Sequence, residues 1–176
     1  MTDKAERLQG RLLPEMKELR ENSQTLQLAT INKEGKPTVS YTPFAYTDDA
    51  FYILISDIAA HGQNLKLNND LSLMLIEDES AAKHIYARRR LSFETSATLI
   101  ERDTATWSEG TEALKARFGE IIGNLTNMED FRLYQIKPEN GLYVKGFGQA
   151  FNVQGFDSVE VVHLDQGHVE RQKQSA

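Results

Sequence analysis

Residues 51–55, Phe-Tyr-Ile-Leu-Ile, are apolar at every position, and this run limits the fold more than any other stretch of the chain. Side chains of a strand alternate between its two faces, so an unbroken apolar run must be covered on both and takes a central place in a sheet. Strand patterns surround it. Residues 25–31 alternate Leu26, Leu28 and Thr30 against Gln27 and Ala29, as a half-buried strand does. Asn32-Lys33-Glu34-Gly35-Lys36 supplies a hairpin turn, with Gly35 available for positive φ. Residues 39–46 form the return strand, where Pro43 favours an edge or a bulge.

Residues 71–76 make a second strongly apolar strand, ended by Glu77-Asp78-Glu79. A connector leads to the basic triplet Arg88-Arg89-Arg90 and then to a long alternating strand. There Leu91, Phe93, Ala97 and Leu99 share one face and Ser92, Glu94, Ser96 and Thr98 the other. Strands around 132–136, 141–144 and 149–153 close the pattern, with Gly146 and Gly148 flanking Phe147 at a bulge or tight corner.

Helical spacing appears in three places. Leu8, Leu12, Met16 and Leu19 form a stripe within residues 1–22, and Pro14 predicts a kink or a restart there. Residues 57–68 read as a short helix carrying Ile58, His61 and Leu65 on one side. Trp107, Leu114, Phe118, Ile121 and Leu125 keep helical spacing in a block that Gly110, Gly119 and Gly123 weaken and divide. The expectation is one α+β domain over residues 1–176, with a mainly antiparallel sheet of six to eight strands closed into a small barrel and flanked by helices.

Composition narrows the class of function. Cysteine is absent, which excludes disulfides, zinc ribbons, iron–sulfur clusters and thiolate-ligated haem. No run approaches the roughly 18 apolar residues of a membrane span, and residues 1–7 lack the layout of a secretory signal, so a cytoplasmic protein is expected. The formal net charge of -6 argues against nonspecific nucleic-acid binding. Walker, dinucleotide-binding, H-E-x-x-H and G-x-S-x-G signatures are all missing.

The remaining candidates are scattered. Of the four histidines, only His163 and His168 lie close enough to chelate one metal ion, and they lack a supporting carboxylate pattern. His168 sits in a polar tail that would ordinarily be a loose chain end. His61 would ordinarily cap a helix or face solvent, and His84 carries no role. Arg88 and Arg90, two apart at a strand start, project to one face and could fork onto a phosphate or a carboxylate pair. Equally, the triplet could offset Glu77-Asp78-Glu79. Asp130, between a helix end and a strand, would be a cap or a turn residue.

Longer motifs join these residues. Residues 25–30 with 35–41 resemble the opening of a flavin-binding split barrel of the pyridoxamine-phosphate-oxidase-like superfamily. The whole chain is similar to the haem-utilisation proteins of the HutZ and HugZ type. The similarity rests on residues 56–65 (Ser-Asp-Ile-Ala-Ala-His-Gly-Gln-Asn-Leu), 87–91 (Ala-Arg-Arg-Arg-Leu), 117–122 (Arg-Phe-Gly-Glu-Ile-Ile), 144–150 (Val-Lys-Gly-Phe-Gly-Gln-Ala) and 163–168 (His-Leu-Asp-Gln-Gly-His).

That resemblance implies a homodimer of split barrels holding haem, as substrate and cofactor, at the subunit interface. It implies His168, in the C-terminal segment 154–176, as axial ligand of the iron. Asp130 would support that ligand across the interface, and Arg90 would lie near the other face of the haem. His61 belongs to the matching pattern and is counted, with Arg88, among the cofactor-binding residues. Arg89, commonly lysine in relatives, is expected to face outward. The implied activity is oxidative opening of haem with iron release, driven by an external electron donor. The alternatives are a haem carrier without turnover and an FMN-dependent oxidoreductase in which Arg88 and Arg90 hold the flavin phosphate.

Overall fold

A computed structural model of the protein describes residues 2–156 and 158–160. Helix α1 (Thr2–Asn22) leads into strands β1 (Thr25–Ile31), β2 (Pro37–Pro43), β3 (Ala45–Tyr46) and β4 (Phe51–Ser56). Helix α2 (Ala60–Leu67) and strand β5 (Asp70–Ile76) follow. Two short 3-10 turns (Glu79–Ala81, Ile85–Ala87) then connect to β6 (Arg90–Ile100). Helices α3 (Ala105–Phe118) and α4 (Ile121–Thr126) precede β7 (Phe131–Ile136), β8 (Asn140–Gly146), β9 (Gln149–Gln154) and β10 (Ser158–Glu160). The strands pair antiparallel in the order β10-β9-β8-β6-β5-β1-β2, with β7, β4 and β3 branching from β6.

The fold is an α+β split barrel, as the patterning predicts; two short strands, β3 and β10, bring the total to ten. The eleven-residue β6 makes the split. Its residues 90–96 pair with β5, whereas residues 97–100 pair with β7, so one strand serves two sheets. Past Ala97 it leaves the barrel wall, and Leu99 is left 47% exposed rather than sharing the buried face of Leu91 and Phe93.

The apolar run at 51–55 is buried on both faces. Phe51, Ile53 and Ile55 enter the barrel core with Leu28, Leu73, Leu91, Phe93 and Tyr143, while Tyr52 and Leu54 meet Leu114, Ile122 and Leu133 beneath α3 and α4. Double coverage therefore comes from a barrel on one side and a helical layer on the other. The Tyr52 hydroxyl stays satisfied in that layer, donating to Glu109 Oε2 at 2.6 Å and accepting from Gln135 Nε2 at 2.7 Å. Burial and the Glu109 carboxylate push its pKa up to about 12. Gly110 permits the helix to approach so closely, since a Cβ there would stand 2.5 Å from the Tyr52 ring. Gly119, at φ +76°, ends α3 and divides the helical block.

Other details depart from the sequence expectation. Helix α1 continues through Pro14 without a restart. Pro14 and Gly10, the residue whose carbonyl loses its partner, are both exposed, so water can replace that bond while Leu12, Met16 and Leu19 pack beneath. The return strand splits after Pro43: β2 pairs with β1, and β3 pairs with β4. Helix α2 begins only at Ala60, leaving Ile58 77% exposed. Met74 and Ile76 lie on the outer side of β5, where alternation rather than double coverage holds. Among the described residues no helix is long and apolar enough to cross a membrane.

Candidate functional site

Two polar clusters lie at opposite ends of β6. The first surrounds Asp130, just before β7. Its carboxylate Oδ2 accepts from the Ser56 hydroxyl at 2.5 Å, and its main-chain carbonyl accepts from the Asp57 N–H at 2.8 Å. Asp57 in turn receives Lys66 Nζ at 2.7 Å and Arg132 Nε at 3.0 Å. Burial alone would raise the Asp57 pKa; the hydrogen bonds and charges of Lys66 and Arg132 outweigh it and hold the carboxyl below its ordinary value.

The second cluster holds the arginine triplet. Arg88 donates through Nε to the Glu77 carbonyl at 2.8 Å, donates to the same oxygen through Nη2, and pairs with Glu79 at 3.4 Å. Arg89 pairs with Glu77 at 2.9 Å and Glu18 at 3.2 Å, with its side chain only 28% exposed. It therefore faces inward onto α1 and corrects the outward placement expected for it. Arg88 lies ahead of β6 and spends its donors on the connector, so it does not converge with Arg90. Among the described residues Arg90 has no carboxylate partner; its one hydrogen bond goes to the Arg88 carbonyl at 3.4 Å.

Arg90 stands on the outer face of the sheet, level with Ile76 and Val144. The next row on that face runs Tyr41, Gln27, Met74, Ser92, Leu142 and Asn152 across six strands. Val39, Tyr41 and Leu142 are exposed there. Two shallow depressions of about 570 and 580 Å³ adjoin on this face and share Ser72 and Glu94.

His61 is placed elsewhere. On α2, its Nδ1 lies 2.9 Å from Ser40 Oγ, on the opposite face of β2 from Val39 and Tyr41, and burial lowers its pKa. His84 caps a 3-10 turn, accepting from the Tyr86 N–H at 3.3 Å. His163 and His168 lie outside the described residues. Among the described residues no three His, Asp or Glu side chains group as a metal site.

The sequence profile of the pyridoxamine 5′-phosphate oxidase family matches residues 12–145. The haem oxygenase HutZ of Vibrio cholerae serotype O1 is 50% identical over 165 residues, which is 94% of each chain. The chain belongs to the HutZ family of pyridoxamine 5′-phosphate oxidase-like proteins. A crystal structure of HutZ, described as the haem storage protein of Vibrio cholerae, superposes with a TM-score of 0.72 at 47% identity. It covers 77% of this chain and 95% of that one. Campylobacter jejuni ChuZ gives a TM-score of 0.80 at 31% identity over 91% of this chain, which spans 65% of the ChuZ chain.

Part of what a haem site asks for is present among the described residues. A porphyrin needs one axial donor, a cation for its propionates and apolar walls. Among the described residues Arg90 supplies a cation without a carboxylate partner, Leu142 is exposed on the neighbouring strand, and Val39 and Tyr41 add uncovered apolar surface farther across the same sheet face. Sequence reasoning missed Ser56, Asp57, Lys66 and Arg132 as a unit. The available signal was Ser56-Asp57 ahead of α2, a pair apt to hydrogen-bond locally, but its partner Asp130 is more than seventy residues away.

Proposed function

We propose that this chain forms a homodimer that binds haem between its subunits and opens the porphyrin oxidatively, releasing iron, with electrons from an external donor. The observation that carries the reading is the near full-length similarity to the haem oxygenase HutZ. The iron and porphyrin supply the redox chemistry once bound. In this reading His168 is the axial ligand, and Asp130 accepts the second ring N–H of that imidazole. Such acceptance fixes the ring and increases its electron donation. Arg90 holds a propionate or donates a hydrogen bond on the other side. The outer sheet face, uncovered by any helix among the described elements, forms the walls that exclude water.

Geometry supports a site shared between protomers. Arg90 opens β6, whereas Asp130 lies beyond the level of Ile100, which pairs with Leu133. The strand between them has a contour of at most roughly 33 Å at about 3.3 Å per residue. With the two groups at opposite ends of this long strand, the proposed site takes Arg90 from one protomer and Asp130 from the other.

Hemin-loaded protein exposed to a mild reductant in air tests the reading. Loss of the Soret band with release of chelatable iron is expected, and an unchanged Soret band across a pH series would overturn the enzymatic claim. A second reading, haem storage without turnover, is favoured by the description of the solved HutZ as a storage protein. It shares His168 and differs only in that assay. Flavin binding, the habit of the wider family, fits less well, because Arg88 is already engaged by Glu77 and Glu79. A yellow preparation indifferent to hemin would reverse the order.

A further inference from the structure

Asp130 is clamped by residues of its own chain, and Ser56 holds the carboxylate itself. The Ser56 hydroxyl accepts from the Ile58 N–H at 3.1 Å and donates its single proton to Asp130 Oδ2 at 2.5 Å. The next residue, Asp57, binds the Asp130 main-chain carbonyl at 2.8 Å. Residues 56 and 57 at the end of β4 thus fix both the backbone and the side chain of Asp130.

The clamp is anchored in turn. Lys66 and Arg132 hold Asp57 from α2 and β7. Gly62 brings α2 so close that a Cβ there would stand 2.1 Å from the Ser56 carbonyl oxygen. An ionised carboxylate offers about four acceptor positions. Among the described residues Ser56 alone bonds to the Asp130 carboxylate, through Oδ2. Oδ1 has no hydrogen-bond partner among the described residues, which leaves it available to a donor outside the clamp.

We propose that Ser56 is a positioning residue for haem opening: by fixing Oδ2 of Asp130 it aims Oδ1 at the axial imidazole of the other protomer. This rests on the roles proposed above for Asp130 and His168. The test compares Ser56→Ala, Ser56→Thr, Asp130→Asn and the Ser56→Ala/Asp130→Asn double variant, all as hemin-loaded full-length protein. Three quantities are read: the rate of Soret loss, the affinity for hemin, and the iron–imidazole stretching band of the ferrous protein.

Ser56→Ala is expected to slow Soret loss about 10-fold, as loss of a hydrogen bond to a charged group should. It should change affinity less, and move the stretching band in the direction that Asp130→Asn moves it. Ser56→Thr, which keeps the hydroxyl, should restore both. Adding Ser56→Ala to Asp130→Asn should have no further effect, since the serine acts only through that carboxylate. An equal slowing by Ser56→Ala in the Asp130→Asn background would overturn the proposal, as would slowing with an unmoved band. If Ser56→Ala does not fold, Ser56→Cys replaces it, and a wild-type rate from that weak S–H donor would overturn the proposal equally. If Asp130→Asn alters neither rate nor band, the site reading itself falls; if Asp130→Asn acts and Ser56→Ala is silent, only the role of Ser56 falls.

Discussion

Asp130 and Arg90 stand at opposite ends of one long strand, and their surroundings differ in kind. Asp130 is held through its carboxylate, through its own carbonyl, and at one remove through the Asp57 ion pairs. Among the described residues Arg90 makes a single long hydrogen bond and faces an uncovered sheet, while Arg88 and Arg89 are used up binding the connector and α1 to the barrel. One end is a rigid acceptor prepared in advance; the other is a cation with donors still to place. Catalytic support demands fixed geometry, because a misplaced acceptor loses its effect within about an ångström. Charge recognition of a flexible propionate tolerates more freedom.

Substitutions can break this contrast. The largest effect is expected for Asp130→Asn, which should cut the rate of haem opening by about 10–100-fold while altering hemin affinity much less. Stopped-flow loss of the Soret band and a hemin titration measure the two. Arg90→Ala should do the reverse in emphasis, weakening hemin affinity about 10-fold through loss of a charge-assisted bond. Arg88→Ala should leave affinity unchanged, because that side chain is committed to Glu77 and Glu79; equal losses from both arginines would erase the distinction.

Smaller effects sharpen it. Gly62→Ala should destabilise the fold by about 1–3 kcal/mol in urea denaturation, since its methyl group meets backbone that cannot move aside cheaply. It should also weaken the rate dependence on Asp130 by shifting Ser56. The smallest expected change is pH-dependent. His61 titrates below its ordinary value in the fold, so the unfolded chain takes up protons first as pH falls. Stability should therefore be full above the ordinary histidine range, and decline as pH drops through it toward the lower folded value. His61→Gln should remove that part of the slope. The Asp57 contribution, also present at higher pH, is lost only in more acid solution, as pH falls through its depressed folded value.

How much the chain itself disclosed follows the same division. Local periodicity identified the strands, and the doubly apolar run at 51–55 correctly demanded cover on both faces. Periodicity did not reveal that the cover would be a barrel on one side and α3 with α4 on the other. It misassigned Leu99, because a strand that changes sheets changes its environment partway along. Pro14 predicted a kink or a restart; the restart is absent, since at the exposed Pro14 and Gly10 water can replace the lost bond. For the arginine triplet the sequence left two readings open, convergence of Arg88 with Arg90 or an offset to Glu77-Asp78-Glu79, and the second holds for Arg88. Asp130 looked like a turn residue until the resemblance supplied a role; Ser56, which holds it, was beyond reach because the hydrogen bond joins positions far apart in sequence.

The claim most exposed to a single measurement is that each site takes its iron ligand from one protomer and its supporting carboxylate from the other. Co-expression of a His168→Ala chain with an Asp130→Asn chain, each carrying a different affinity tag, yields a purifiable mixed dimer. If the site is shared, one of the two sites in that dimer keeps both His168 and Asp130, and the rate of haem opening per dimer should be about half that of wild type. If ligand and carboxylate came from the same chain, both sites would be defective and the mixed dimer would be no faster than the better of its parents.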